Sequence, residues 1–318
     1  MLVWGGFLVL VIIFLALDLG VFNKEPHAIT TKEAMGWTTV WVTMSLLFSV
    51  FVYFAYENHW LGIGIEIGEN LSGKTAFLNY LTGYLVEQSL SLDNIFVIAL
   101  IFAYFKIPQQ YQHRVLFWGI IGALVFRGIM IALGAILIKE FDWIIYVFGG
   151  ILLYTAYRMA FSNDEEIHPD KNPVVNFVKR FFPVVRGIYG DHFFIKRMGT
   201  RVATPLFIAL VVVETTDIMF AVDSIPAIFA ITTDPFLVFT SNIFAILGLR
   251  SLYFVLASIL DKFYYIKYSL VFILAFVGLK MIFSHQIHLP EWTSLAVIAG
   301  ALAGGILFSI WKKNSEKK

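Results

Sequence analysis

Five acidic residues stand inside segments otherwise apolar enough to cross a bilayer: Glu87 and Asp93 in one, Glu214, Asp217 and Asp223 in another. The other seventeen of the 22 acids fall in loops or at segment ends. At 1.5 Å rise per residue, each of the five lies within about 10 Å of its segment's midpoint. One acid at the centre of a membrane helix costs roughly 2.5–3.5 kcal/mol. Five left uncompensated would cost on the order of 10 kcal/mol, comparable to the whole stability of a domain. A bound cation, a proton or an internal arginine must offset that cost. Arg127 and Arg250 are the internal candidates, and they leave three acids in excess. Protonation can absorb part of the excess.

The surroundings of these acids contain only oxygen ligands. All seven histidines (27, 59, 113, 168, 192, 285 and 288) lie outside the expected span interiors, and the chain has no cysteine. Asn94, Ser89, Thr215, Ser224 and Asn242 add amide and hydroxyl oxygens near the acids. Carboxylates, amides and hydroxyls favour hard cations such as Mn²⁺, Mg²⁺ or Ca²⁺ over Cu⁺ or Zn²⁺. No tightly bound cofactor is expected. Glu214 and Asp217, three apart, share a helix face. Asp223, six residues further, points roughly 120° away on a regular helix. Pro226 cannot donate to the carbonyl of Val222, so a kink or break that turns Asp223 inward is expected there. Glu87 and Asp93 repeat the six-residue offset without a proline.

The elements that carry these residues follow from composition. Hydrophobic residues make up 59% of the 318 positions and charged residues 14%, too little charge for a soluble domain. The sequence predicts an all-α membrane protein with nine transmembrane helices, at 2–18, 35–56, 76–105, 114–138, 142–161, 203–231, 236–260, 267–284 and 292–311. The first is expected as a retained span, since no basic residue precedes it and no small-residue cleavage site follows. Of the 23 lysines and arginines, eighteen fall in one set of alternate loops and two, Lys74 and Lys139, in the other. The basic side is the cytoplasmic one. That puts the C-terminus in the cytoplasm and the N-terminus outside. The single long polar loop, 162–202, is then cytoplasmic; it reads as a solvated connector whose stretch Asn172 to Arg186 could lie on the membrane as an amphipathic helix. The lipid bilayer is the obvious partner, and a net charge of +1 points to no nucleic acid.

The two acidic segments are related. Tyr84 to Phe96 aligns without gaps on Glu214 to Pro226, setting Glu87 against Asp217, Asp93 against Asp223 and Asn94 against Ser224. The next spans set Arg127 (Leu-Val-Phe-Arg) against Arg250 (Leu-Gly-Leu-Arg), and the third pair sets Arg158-Met-Ala-Phe-Ser against Lys280-Met-Ile-Phe-Ser. The expected organisation is one polytopic domain with repeats at 76–161 and 203–284. Three spans per repeat is an odd number, so the second copy enters the membrane from the opposite side. Such inverted repeats mark secondary transporters that bind substrate near the midplane.

At these residues the chain resembles the TerC/Alx family of membrane proteins. The stretches that carry the resemblance are Gly83 to Phe96, Glu214 to Ala227, Thr233-Asp-Pro-Phe236 and Ser241 to Arg250. The resemblance implies a bacterial inner-membrane protein related to the lysine-exporter superfamily, with efflux of Mn²⁺ as its activity. It also implies Glu87, Asp93, Glu214, Asp217 and Asp223 as metal-site residues. Two other classes compete. An intramembrane aspartyl protease needs facing aspartates, but the chain has no Gly-x-Gly-Asp motif, so no enzyme is expected. A non-transporting factor for metal loading or protein assembly would use the 162–202 loop.

Overall fold

Capping residues and prolines set the limits of the helices. Thr30 accepts from the Glu33 amide at 3.3 Å and Ser72 from the Thr75 amide at 3.2 Å, so each opens a long helix. Pro173, Pro205 and Pro235 each stand at a first helical position, where a missing N–H costs nothing. The computed structural model describes residues 2–20, 29–141, 143–161, 173–185, 187–197, 200–257, 266–284, 286 and 289–316. Their helices are α1 (Leu2–Gly20), α2 (Thr31–Glu57), α3 (Gly73–Tyr104), α4 (Gln109–Glu140), α5 (Ile144–Phe161), α6 (Pro173–Phe181), α7 (Pro205–Phe229), α8 (Pro235–Ala257), α9 (Ile266–Ile282) and α10 (Glu291–Glu316). A two-stranded antiparallel hairpin, β1 (Phe194–Arg197) and β2 (Thr200–Ala203), precedes α7.

Each expected span overlaps one helix, and α6 is additional. Among the described residues seven helices, α2–α5, α7, α8 and α10, are long and apolar enough to cross a membrane; α1 is a shorter apolar helix and α9 has 17 residues. Val125, Ile129, Leu133 and Ile136 form an exposed apolar stripe along α4, a surface that suits hydrocarbon. The protein is an all-α membrane protein.

Packing follows a pattern. Helix α3 packs on α8, α4 on α7 and α5 on α9, while α3 also meets α7 and α4 meets α8. Exchanging α3–α5 for α7–α9 leaves these pairings unchanged. Helix α2 flanks α3 and α8, and α10 flanks α9 and α3. Phe7 and Phe14 of α1, Trp41 and Phe48 of α2, and Phe236 and Phe244 of α8 join in one core, with the Phe48 and Phe244 ring centroids 4.7 Å apart.

Helices α5 and α9 cross through glycine. A Cβ on Gly149 or on Gly278 would stand 3.1 Å from the other's carbonyl oxygen, and the one on Gly149 would lie 2.6 Å from Ile282 Cγ1. Small residues let membrane helices approach this closely. Gly149→Leu is therefore expected to destabilise the protein by about 1–3 kcal/mol, seen as a lower thermal unfolding midpoint in detergent. At the neighbouring Gly150 a Cβ meets nothing within 4 Å, so Gly150→Leu should leave the midpoint in place. Equal midpoints for the two variants would refute the close crossing.

Three expectations need correction. Helix α7 runs unbroken through Pro226. The proline stands only three residues before the helix ends at Phe229, so just the Val222 carbonyl loses its partner, and Ala230 N–H still reaches the Pro226 carbonyl at 3.0 Å. The 162–202 loop is more than a connector. Its amphipathic stretch forms α6, packed on α7, and the β1–β2 hairpin was not foreseen. Val185 N–H donates to the Ala203 carbonyl (3.0 Å) and Ala203 N–H to that of Pro183 (2.9 Å). Arg114 of α4 pairs with Asp191 and lies over the Phe193 ring at 5.2 Å. His113 is the third case: α4 begins five residues early, which puts it in the second turn. Asp164, Glu165, Glu166, Lys171, Asn172, Arg186 and the histidines at 27, 168, 285 and 288 lie outside the described residues.

Candidate cation site

Where α3, α4, α7 and α8 meet, Arg127 holds two of the five acids together. Its side chain is 1% exposed. One Nη1 hydrogen goes to Glu87 Oε1, and Nη1 also reaches Ser224 Oγ at 3.3 Å. Its Nε and Nη2 grip Asp217 as a fork, to Oδ2 at 3.3 Å and Oδ1 at 3.0 Å. Bidentate pairing of this kind is strong and directional. Glu87 is fully buried, and its Oε2 accepts from Asn242 Nδ2 at 3.1 Å. Asn94 Nδ2 faces Asp217 Oδ1 at 3.5 Å, the outer limit of a hydrogen bond.

The two amides present their nitrogen to a carboxylate, since the reverse orientation would set oxygen against oxygen. Their own oxygens, Asn94 Oδ1 and Asn242 Oδ1, are buried and accept no hydrogen bond, nor does Glu214 Oε2. Buried acceptors without donors are costly in water-free surroundings. Each is an oxygen with no competing donor, the Asn94 one on the side chain that meets Asp217 and the Asn242 one on the side chain that meets Glu87. A narrow cavity reaches Asp217 and Asn94, lined by Ile98, Leu116, Val213 and Leu249. It lies on the side of the acids toward the turn that joins α3 to α4.

The other three acids stand apart. Glu214 is half-buried against the α4 backbone; a Cβ on Gly122 would overlap its carboxylate. It also lies within electrostatic reach of Asp217, as their spacing of three predicts. Asp223 turns to α5, where Thr155 donates to its Oδ1 at 2.7 Å and Arg158 acts on it through charge. Asp93, half-buried, is in electrostatic reach of Lys267 at the start of α9. Among the described residues no three acidic or histidine side chains gather closely enough to hold a metal ion unaided. The guanidinium of Arg127 occupies the space between Glu87 and Asp217 instead. Arg250 is buried on α8, and Pro226 lies in the last turns of α7. Ser89 and Thr215 donate to carbonyls one turn back in their own helices.

Sequence reasoning missed Thr155, an isolated hydroxyl in an apolar span with no spacing signal, and Gly122, whose lack of a side chain makes room for Glu214. It also gave no role to Asp234, although an Asp followed by Pro is a helix-start signal.

Long apolar helices, a lipid-suited surface and buried charge define a multi-pass integral membrane protein. The sequence pattern described as "Integral membrane protein TerC family" matches residues 72–317. The chain belongs to that family. It is 47% identical over 309 residues to the "Uncharacterized membrane protein STKORF319" of Myxococcus xanthus, covering 97% of this chain and 92% of that one. To the Escherichia coli (strain K12) protein Alx, whose name proposes a membrane-bound redox modulator, it is 45% identical over 311 residues, covering 98% and 94%. A membrane protein of Rickettsia bellii is 42% identical over 311 residues, covering 98% of both chains. No solved structure matches the chain.

Proposed function

We propose that this protein is a secondary transporter that exports hard divalent cations, Mn²⁺ first among them, from the cytoplasm through an acidic site near the bilayer midplane. One observation carries the reading: Glu87 and Asp217, equivalent positions of two related segments, converge on a single buried cation, the Arg127 guanidinium. A structural need for neutrality would be met by fewer charges. Intramembrane ionisable groups at the meeting of two halves serve transport far more often. Glu214, Asp223 and Asp93 extend the set along the membrane normal, with Asp93 toward the basic end and Asp223 toward the opposite one. The oxygen-only ligands favour a hard ion, and the family resemblance selects Mn²⁺ within that class. Protons are the counter-ion we assign, because carboxylates that release a metal inside the bilayer must be neutralised again. In this reading the protein lies in the inner membrane, C-terminus cytoplasmic and N-terminus outside. The name of the Escherichia coli relative speaks of redox; with no cysteine, this chain has no thiol of its own for disulfide exchange.

Metal flux in proteoliposomes tests the proposal, comparing Mn²⁺, Mg²⁺ and Ca²⁺ for wild type, Asp217→Asn and Asp93→Asn. Losing one charged ligand should slow Mn²⁺ flux by about tenfold or more in each variant. Equal flux in all three proteins would remove the acids from the pathway. Absence of flux for every metal in wild type would favour the assembly-factor alternative.

A further inference from the structure

Arg127 is not alone in its kind. Arg250 is the second buried arginine of the membrane-spanning segments, 6% exposed on α8, and it stands against Arg127 when the two halves are aligned. The same alignment sets Glu87 against Asp217. Exchanging the halves therefore returns the carboxylate pair to itself and puts Arg250 where Arg127 was. From this we infer that Arg250 is the second of two exchangeable tethered cations: when the site faces the other side of the membrane, Arg250 replaces Arg127 on Glu87 and Asp217. The inference rests on the transport reading of this site.

The placement fits the exchange. Helix α8 packs on both α3 and α4, the helices that carry Glu87 and Arg127. Asn242 of α8 already touches Glu87. Arg250 lies eight residues further along α8, about 12 Å toward the basic end at 1.5 Å per residue. Its neighbour Leu249 lines the cavity that reaches Asp217. So the cavity lies on the Arg250 side while Arg127 holds the acids. Moving Arg250 onto the acids would fill that cavity, and release of Arg127 would open the opposite side. Two guanidinium groups cannot both fork the same pair, because like charges would be forced together in a medium of low dielectric. Either arginine alone spares the empty site two bare carboxylates in the membrane. A divalent ion can take the pair only by displacing the arginine in place.

Thiol accessibility tests the exchange, and the absence of cysteine means that each single-cysteine variant carries one reactive group. Ile98 lines the cavity. Ile228 is its counterpart in the repeat alignment and is fully buried. Full-length Ile98→Cys and Ile228→Cys proteins in proteoliposomes are reacted with a membrane-impermeant maleimide. Ile98 is 5% exposed and Ile228 0%, so in the arginine-intact background Ile98→Cys should react faster than Ile228→Cys. Adding Arg127→Gln should speed the reaction at Ile228→Cys by about tenfold and slow that at Ile98→Cys, since it removes a buried ion pair from one state only. Adding Arg250→Gln should do the reverse. Shifts in the same direction, or none, overturn the exchange. Where a glutamine variant aggregates on size exclusion, the lysine variant carries the same test with a smaller shift in the same direction. Mn²⁺ flux by wild type runs alongside. Flux with unmoved labelling sinks the exchange alone, whereas no flux sinks the transport reading and the exchange with it.

Discussion

Glu87→Gln is expected to destabilise the protein by about 1–3 kcal/mol and to stop metal flux, although the substitution changes neither size nor shape. The carboxylate is fully buried and uses both oxygens, one for Arg127 and one for Asn242. A glutamine has a single oxygen to offer. Its amino group would face Asn242, whose amide must turn to accept it with the oxygen that is now idle. Arg127 would then have a neutral acceptor in place of a charged one and be balanced by Asp217 alone. Arg127 keeps its fork on Asp217, so the cost is that of a charge-assisted hydrogen bond exchanged for a neutral one and not that of a bare charge. Arg127→Gln bares both carboxylates, so the double variant Glu87→Gln/Arg127→Gln should lose less than the sum of the two singles, and that difference is the coupling between the two residues. Thermal unfolding of the four proteins in detergent measures it. A Glu87→Gln protein that unfolds with wild type, or a double variant worse than the sum of the singles, would mean that the ion pair does not hold these helices together.

Glu87 also illustrates which features were legible in the sequence. A carboxylate in an apolar run is conspicuous because membrane helices carry few charges, and run length reports bilayer thickness directly. Hence the long apolar segments and the five acids could be read without coordinates. What the sequence did not show depends on the direction of side chains between helices distant in the chain. Arg127 was a candidate counter-charge, but nothing local says that it takes one acid from α3 and another from α7 while leaving Glu214 and Asp223 to other partners. Asp223 shows the difficulty. Its rotation from Asp217 followed from helical geometry, yet its partner Thr155 sits 68 residues away and has no periodic signature. Pro226 misled for a related reason: the cost of a proline depends on how much helix follows it, and only three residues do. The hairpin at 194–203 has strands of four residues, too short to show alternation against a basic background.

Asp234→Ala is expected to be more damaging to stability than Glu87→Gln, for a reason unrelated to transport. Asp234 is fully buried at the start of α8, and each of its oxygens accepts two hydrogen bonds. Oδ1 takes the amides of Phe236 (2.9 Å) and Leu237 (3.1 Å), which caps the helix. Oδ2 takes the Tyr56 hydroxyl and the Glu69 amide, both at 2.7 Å, which ties α2 and the following loop to α8. That loop passes close by: Gly68 has φ +78, and a Cβ there would overlap the Asp234 carboxylate. Alanine leaves four donors without an acceptor, a loss of about 3–5 kcal/mol. Asn keeps the capping oxygen but turns an amino group toward Tyr56 and Glu69, so Asp234→Asn should fall between, at about 2 kcal/mol. Unfolding midpoints ordered wild type, Asn, Ala are the expected result, with flux per folded molecule unchanged in the asparagine variant. A variant that unfolds like wild type yet no longer moves metal would reverse the assignment and make Asp234 a sixth acid of the pathway. The satisfied state of its oxygens argues against that: Asn94, Asn242 and Glu214 hold buried oxygens with no donor, whereas Asp234 has none to spare for a passing ion.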